Sequence, residues 1–161
     1  MIPRLPNHFI AAGAIAVSLA LTANASAENG VTKDKILFGQ AAALEGPASA
    51  LGKGMQLGIR AAFEEVNSNG GINGRKLELK SYDDSYEPDT SIQAVKNLIE
   101  QDKVFALIGP VGTPTSKATQ PIATKAKVPF IGPFTGAGFL RNFDLGNIVN
   151  VRATYAAETE T

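Results

Sequence analysis

The sequence predicts an α/β fold, one parallel sheet with helices on both faces. Three observations point there. Short apolar runs recur at 36–41 (ILFGQA), 104–108 (VFALI) and 128–131 (VPFI), each followed by a loop containing Gly and Pro. Stretches whose apolar residues fall at helical spacing separate the runs. The connections are long enough to hold a helix, as a parallel crossover requires.

Residues 1–27 are set aside as a secretory signal peptide. Arg4 gives a positive start, 9–21 is apolar and Ala-rich, and Ala25-Ser26-Ala27 offers the small-x-small pattern before Glu28. Cleavage is expected after Ala27. The apolar stretch is shorter than the roughly 20 residues that span a bilayer, which disfavours an uncleaved anchor.

The domain then occupies 28–161. The run 36–41 is the first strand, and Leu44-Glu45-Gly46-Pro47 turns the chain. Met55, Ile59, Phe63 and Val66 mark one face of a first helix, which stops at the Asn- and Gly-rich segment 67–71. In 76–82 Leu77 and Leu79 alternate with Glu78 and Lys80, so this second strand is half exposed and belongs at a sheet edge. The acidic turn 83–89 precedes a second helix, with Asp89 or Thr90 as its cap and Ile92, Val95, Leu98 and Ile99 as its buried face. Its spacing does not match a calcium loop, so a solvated turn is expected rather than a metal site.

The unbroken run 104–108 reads as a central strand buried on both faces. A third helix over 115–127 presents Ala118, Ile122, Ala123 and Ala126, and Pro121 is expected to kink or split it. The run 128–131 is the fourth strand, 139–143 a helical turn, 148–151 a fifth strand, and Thr154 opens a last helix. The resulting order βαβαβαβ defines a Rossmann-like parallel sheet. In such sheets ligands bind beyond the carboxyl ends of the strands, where strand order reverses. Loops 44–51, 109–116 and 132–138 meet at that rim.

Composition narrows the chemistry. The 15 basic and 15 acidic residues cancel, and loss of Arg4 with the leader leaves a net charge of about −1. Neither sign forms a block, so nucleic acid and anionic membrane surfaces are not expected partners. The chain has no Cys, which excludes disulfides and a lipidated cysteine anchor. Its one His, His8, lies in the leader, so Ser-His-Asp and Cys-His catalysis and the usual zinc sets are absent from the domain. The segment 46–54 approaches a phosphate loop but has five residues between the glycines and Gly54 in place of the hydroxyl. Neither G-x-G-x-x-G nor G-x-S-x-G occurs. No enzyme activity and no cofactor are expected. What remains is binding through backbone N–H groups and hydroxyls, with Thr113 and Thr135 the sharpest candidates because each lies just beyond a buried strand. Chemistry alone leaves helix or turn capping equally open to both.

From 36 to about 160 the chain resembles the N-terminal lobe of periplasmic solute-binding proteins of the leucine/isoleucine/valine-binding type, which serve ABC importers. The resemblance rests on Glu45-Gly46-Pro47 with Leu51-Gly52, on 70–74 (GGING), on Tyr82-Asp83-Asp84, on 109–116 and on 129–138, in that order. It implies the type I periplasmic-binding architecture, in which two α/β lobes close on a small solute. It also implies that Thr113 gives its hydroxyl to the ligand carboxylate, that the loop positions Phe134, Thr135 and Gly136 supply a backbone carbonyl and a hydroxyl to the α-amino group and backbone N–H to the carboxylate, and that Leu51 touches the side chain. Gly136 stands where amino-acid binders commonly have a hydroxyl, leaving Thr135 as the substitute. Phe134 is bulkier than usual and favours an aromatic or differently shaped solute. Tyr155 and Glu158 are weaker candidates facing the cleft. Tyr86 and Gly112 occupy the positions that a disulfide joins in some relatives.

The expected partners are a small carboxylate or amino acid and the membrane subunits of an ABC importer, in the periplasm, with the binding protein a monomer. Family members are about twice this length, so 28–161 is read as the N-terminal lobe without its second lobe, expected to bind solute poorly by itself. A sensory-receptor ectodomain sharing this lobe is the alternative. An enzyme on a Rossmann-like sheet is a further one and would need catalytic groups from beyond Thr161.

Overall fold

The computed structural model describes residues 28–160; the expected leader, 1–27, lies outside the described residues. The elements are β1 (Lys35–Ala42), α1 (Ser49–Ser68), β2 (Lys76–Asp83), α2 (Pro88–Glu100), β3 (Ala106–Ile108), α3 (Thr113–Lys125), β4 (Phe130–Ile131), a 3-10 turn (Gly138–Arg141), β5 (Ile148–Val149) and α4 (Tyr155–Thr159). Every neighbouring pair is parallel, and the order across the sheet is β2-β1-β3-β4-β5. β3 is therefore central and β2 an edge, as the unbroken run and the alternating run imply. The order reverses between β1 and β3, which places the ligand crevice of such a sheet at their carboxyl ends.

Strand pleat sorts the two faces. Phe38 meets Phe63 of α1, ring centroids 5.1 Å apart, whereas a side chain at Gly39 would meet Leu98 of α2. Thus α1 covers one face, and α2 with α3 beside it covers the other. The main core lies on the α2 side, where Leu98, Val104, Leu107, Phe130 and Leu140 are buried together. Each such side chain contributes about 1.5–3 kcal/mol by leaving water. On the α1 side the strand register carries Ile108, Ile131 and Val149 past the helix, and Val149 is exposed.

Several expectations change. Residues 104–105 and 128–129 lie outside the ladders, so β3 and β4 are shorter than the apolar runs that contain them, although Val104 and Val128 are buried. Neither Asp89 nor Thr90 caps α2. Pro88 starts that helix, Glu87 stands at the N-cap without a side-chain bond, and the anchoring carboxylate is Asp84, which accepts from the Tyr86 N–H (2.9 Å) and the Ser91 hydroxyl (2.9 Å). α3 begins at Thr113, two residues early, because Pro114 fits a first helical turn. It then runs through Pro121 unsplit. Pro121 and Lys117, whose carbonyl loses its helical donor, are both exposed, so water can replace the missing bond. Gly112, at φ 103°, lies beneath the Tyr86 ring, where a Cβ would come within 2.6 Å of ring carbons. Tyr86 and Gly112, the two positions that the resemblance pairs, thus pack against each other.

Candidate functional site

The loops after β1, β3 and β4 share one rim because their strands are parallel. Gln40, buried at the end of β1, donates to the Gly109 carbonyl (3.3 Å) and accepts from the Ser81 hydroxyl (3.0 Å), which ties three strand ends together. At the end of β2 the Asp83 carboxylate accepts the N–H groups of Leu44 (2.6 Å), Glu45 (2.9 Å) and Ser85 (3.2 Å) and the Ser85 hydroxyl (2.7 Å). Burial pushes the Asp83 carboxyl up, but these four bonds outweigh it and hold its pKa below the usual aspartate range. Phe134 N–H donates to the Pro110 carbonyl (2.8 Å), joining the third loop to the second.

At the rim three hydroxyls form a triangle. Thr113 Oγ1 lies 2.6 Å from Thr135 Oγ1 and 3.3 Å from Tyr155 Oη, and Thr135 Oγ1 lies 3.1 Å from Tyr155 Oη. Thr135 is fully buried and also accepts the Ala137 N–H (3.2 Å). Thr113 is half-buried, and Tyr155 is 44% exposed. The outward-facing members are therefore Thr113 and Tyr155, with Thr135 behind them. Hydrogen bonds from Thr113 and then Thr135 draw the Tyr155 phenol below its ordinary pKa.

Tyr155 is held from several sides. Its N–H donates to the Gly136 carbonyl (3.0 Å), and its ring covers Gly136 so closely that a Cβ there would lie 2.6 Å from Cδ1. The Arg152 guanidinium lies 5.2 Å from the ring centroids of both Tyr155 and Phe134. Arg152 also makes a two-pronged pair with Glu158 at 2.7 and 2.8 Å, which raises the arginine pKa and lowers that of the glutamate. Arg141 then donates to the carbonyls of Thr135 (3.2 Å), Ala137 (3.1 Å) and Arg152 (2.8 Å), clipping the third loop to the segment leaving β5.

Beside the triangle runs an open apolar groove of about 580 Å³, lined by Leu51, Met55, Ile59, Phe63, Ile108 and Phe134 among others. Of the sequence-predicted residues, Thr113, Thr135 and Tyr155 come together, and Leu51 and Phe134 line the adjoining groove. Gly136 is roofed by Tyr155, and Glu158 is engaged by Arg152. Sequence reasoning missed Arg141 and Arg152, whose partners here include backbone carbonyls and ring faces that leave no motif. Among the described residues no three His, Cys, Asp or Glu side chains are grouped to hold a metal, and no helix is long and apolar enough to cross a membrane.

Sheet order, parallel pairing and helices on both faces define the type I periplasmic-binding class of fold. The chain belongs to the periplasmic binding protein family, whose profile matches residues 35–161. It is 30% identical over 114 residues to the Leu/Ile/Val-binding protein BraC3 of Rhizobium johnstonii, covering 71% of this chain and 31% of that protein. A crystal structure of a possible leucine/isoleucine/valine-binding protein from Rhodopirellula baltica superposes with TM-score 0.74 at 38% identity, over 84% of this chain and 35% of that one. A solute-binding protein of an ABC transporter from Rhodopseudomonas palustris, in complex with 3,4-dihydroxybenzoic acid, superposes with TM-score 0.65 at 27% identity, over 76% and 33% of the two chains. The chain spans 20% to 31% of the length of the first curated relatives it matches.

Proposed function

We propose that this chain is the N-terminal lobe of an extracytoplasmic solute-binding protein that hands an amino acid or related small carboxylate to the membrane subunits of an ABC importer. The observation that carries the reading is the hydroxyl triangle of Thr113, Thr135 and Tyr155 at the rim, set against an apolar groove. The two outward-facing hydroxyls, Thr113 and Tyr155, can turn their hydrogens to one oxyanion while Thr135 bonds both, and charge-assisted bonds of that kind are the stronger ones. In this reading Thr113 donates to the carboxylate and Tyr155 joins it. Thr135, buried behind, orients both. The Phe134–Gly136 backbone walls the head group, Leu51 and Phe134 meet the tail, and Glu158 serves by holding Arg152. The solutes in the names of the Rhizobium and Rhodopseudomonas proteins are alike in bearing a carboxylate.

The leader at 1–27 would export the chain to the periplasm, where it acts as a monomer by capture and release rather than turnover. A second lobe closing over the rim would bury the solute, and contacts from both lobes would favour the closed state. The test is a titration of the full chain with L-leucine and with benzoate, followed by isotope-edited NMR, which reads millimolar affinities. In a two-lobe form, where closure desolvates the rim, Thr113→Ala should weaken the better ligand by about 1–3 kcal/mol, the cost of an unpaired buried group. An unchanged dissociation constant removes Thr113 from the site.

A further inference from the structure

The outer surface of α2 and α3 holds a cleft that the rim does not use. Both are crossover helices between parallel strands, so their last turns lie at the amino ends of the strands, away from the rim. Between those turns runs an open cleft of about 510 Å³, with Ile99, Pro121 and Ile122 as its floor and Lys96, Glu100 and Lys125 on its lip. Ile99 and Ile122 pack on the core from the inner side, and Pro121 is exposed. The floor is therefore firm, apolar and still in contact with water.

The charge around it is one-sided. From Ser91 to Lys127 the chain carries Lys96, Lys103, Lys117, Lys125 and Lys127 against Glu100 and Asp102, although the chain as a whole is neutral. Asp102 is engaged by Lys80 at 3.6 Å. Lys96, Lys117 and Lys125 form no ion pair among the described residues. Lys125 suits the carboxyl end of α3, but Lys96 and Lys117 sit inside their helices, where the helix dipole gives no reason for a cation. Lys117 lies one turn before Pro121 on the same face of α3, and its carbonyl, lacking the donor that Pro121 cannot supply, is open to a partner's N–H.

We infer that this cleft docks an acidic segment of a partner protein, with a branched apolar side chain seated on Ile99, Pro121 and Ile122 and carboxylates on either side meeting Lys96 and Lys125. The lysine stems extend the apolar wall while their ammonium groups stay in water, so the pairs form at the lip without burying a charge. Glu100, the one acid on the lip, disfavours a carboxylate beside it and so limits the register of the segment. A contact of this size is transient, and its place at the far end of the sheet leaves the rim open while the partner is bound.

The probe is the acetylated and amidated hexapeptide Glu-Glu-Leu-Leu-Glu-Glu, titrated into the ¹⁵N-labelled full chain. Shifts should gather at Lys96, Ile99, Ile122 and Lys125, with Thr113 and Tyr155 unmoved. The double variant Lys96→Ser, Lys125→Ser changes only exposed side chains and should weaken the peptide about tenfold while the spectrum stays as dispersed as that of the parent. Raising salt from about 50 to about 500 mM should weaken binding to the parent more than to the variant. The counterpart Glu-Glu-Ser-Ser-Glu-Glu should bind at least about tenfold more weakly, since it leaves the floor wet. No shifts at millimolar peptide, an unchanged affinity in the double variant, or equal binding of the serine peptide overturns the inference. So does a chain that ignores the peptide but sediments with phosphatidylglycerol vesicles through Lys96 and Lys125, which would make a membrane surface the occupant.

Discussion

Asp83 and Asp84 are neighbours whose environments push them in opposite directions. Asp83 is held below its ordinary pKa by the N–H groups and the hydroxyl that surround it, despite some burial. Burial raises Asp84, against its bonds from Tyr86 and Ser91. A depressed aspartate adds stability that is present above the unfolded pKa, about 3.9, and is lost as pH falls through the folded value. A raised one adds stability below the unfolded pKa and loses it as pH rises. Asp83→Asn should therefore cost about 1 kcal/mol at pH 7 and make the acid loss of stability below about pH 4 shallower. Asp84→Asn should act above about pH 4 instead, removing the stability that protonation of Asp84 adds as pH falls towards that value. Urea unfolding at pH 7 and in the acid range separates the two, and parallel pH profiles for both variants would contradict the assignment. At this scale the sequence was partly legible. Thr113 and Thr135 stand out because each follows a buried run by a few residues. Tyr155, 42 positions beyond Thr113, is brought to it by a crossover whose geometry no local pattern encodes.

Among the elements, α1 shows how tightly the first loop is set. Gly52 is buried, and a Cβ there would run into the Ala43 carbonyl, whereas a Cβ at Gly54 meets nothing within 4 Å. Alanine in place of glycine stabilises an unconstrained helix by about 0.5–1 kcal/mol. Gly54→Ala should show that gain, while Gly52→Ala should cost about 1–3 kcal/mol through overpacking against backbone. Thermal unfolding of the pair checks it, and equal shifts would mean that α1 does not lie against the end of β1 as described. Helix positions were readable from apolar spacing, and β2 from its alternation. The lengths of β3 and β4 were not, because an apolar run records burial and not where a ladder begins. The start of α2 was misplaced for a related reason: Pro88 initiates the helix through its fixed φ, so the usual side-chain cap is not needed.

For the whole molecule the open rim is the dominant fact. Leu51, Phe134 and Tyr155 are 45%, 37% and 44% exposed, and the groove beside them is open to solvent. Useful sites bury most of their ligand. The chain alone should therefore bind any small carboxylate more weakly than micromolar, and calorimetry finding micromolar or tighter affinity would contradict the reading of a half cleft. The parallel order and the rim were legible because crossover length dictates parallel strands. The clip of Arg141 and the Arg152 stack were not, since both depend on how the exit from β5 returns to the third loop. The central claim is that this rim recognises a carboxylate, and a ¹H–¹⁵N map of the chain tests it most directly. Benzoate and L-leucine would be compared with benzamide and L-leucinamide, in which a neutral carboxamide replaces the carboxylate. The account predicts shifts confined to Leu51, Thr113, 134–137 and Tyr155 with an acid and much smaller shifts with its amide. Equal responses to acid and amide, or shifts centred elsewhere, would contradict it.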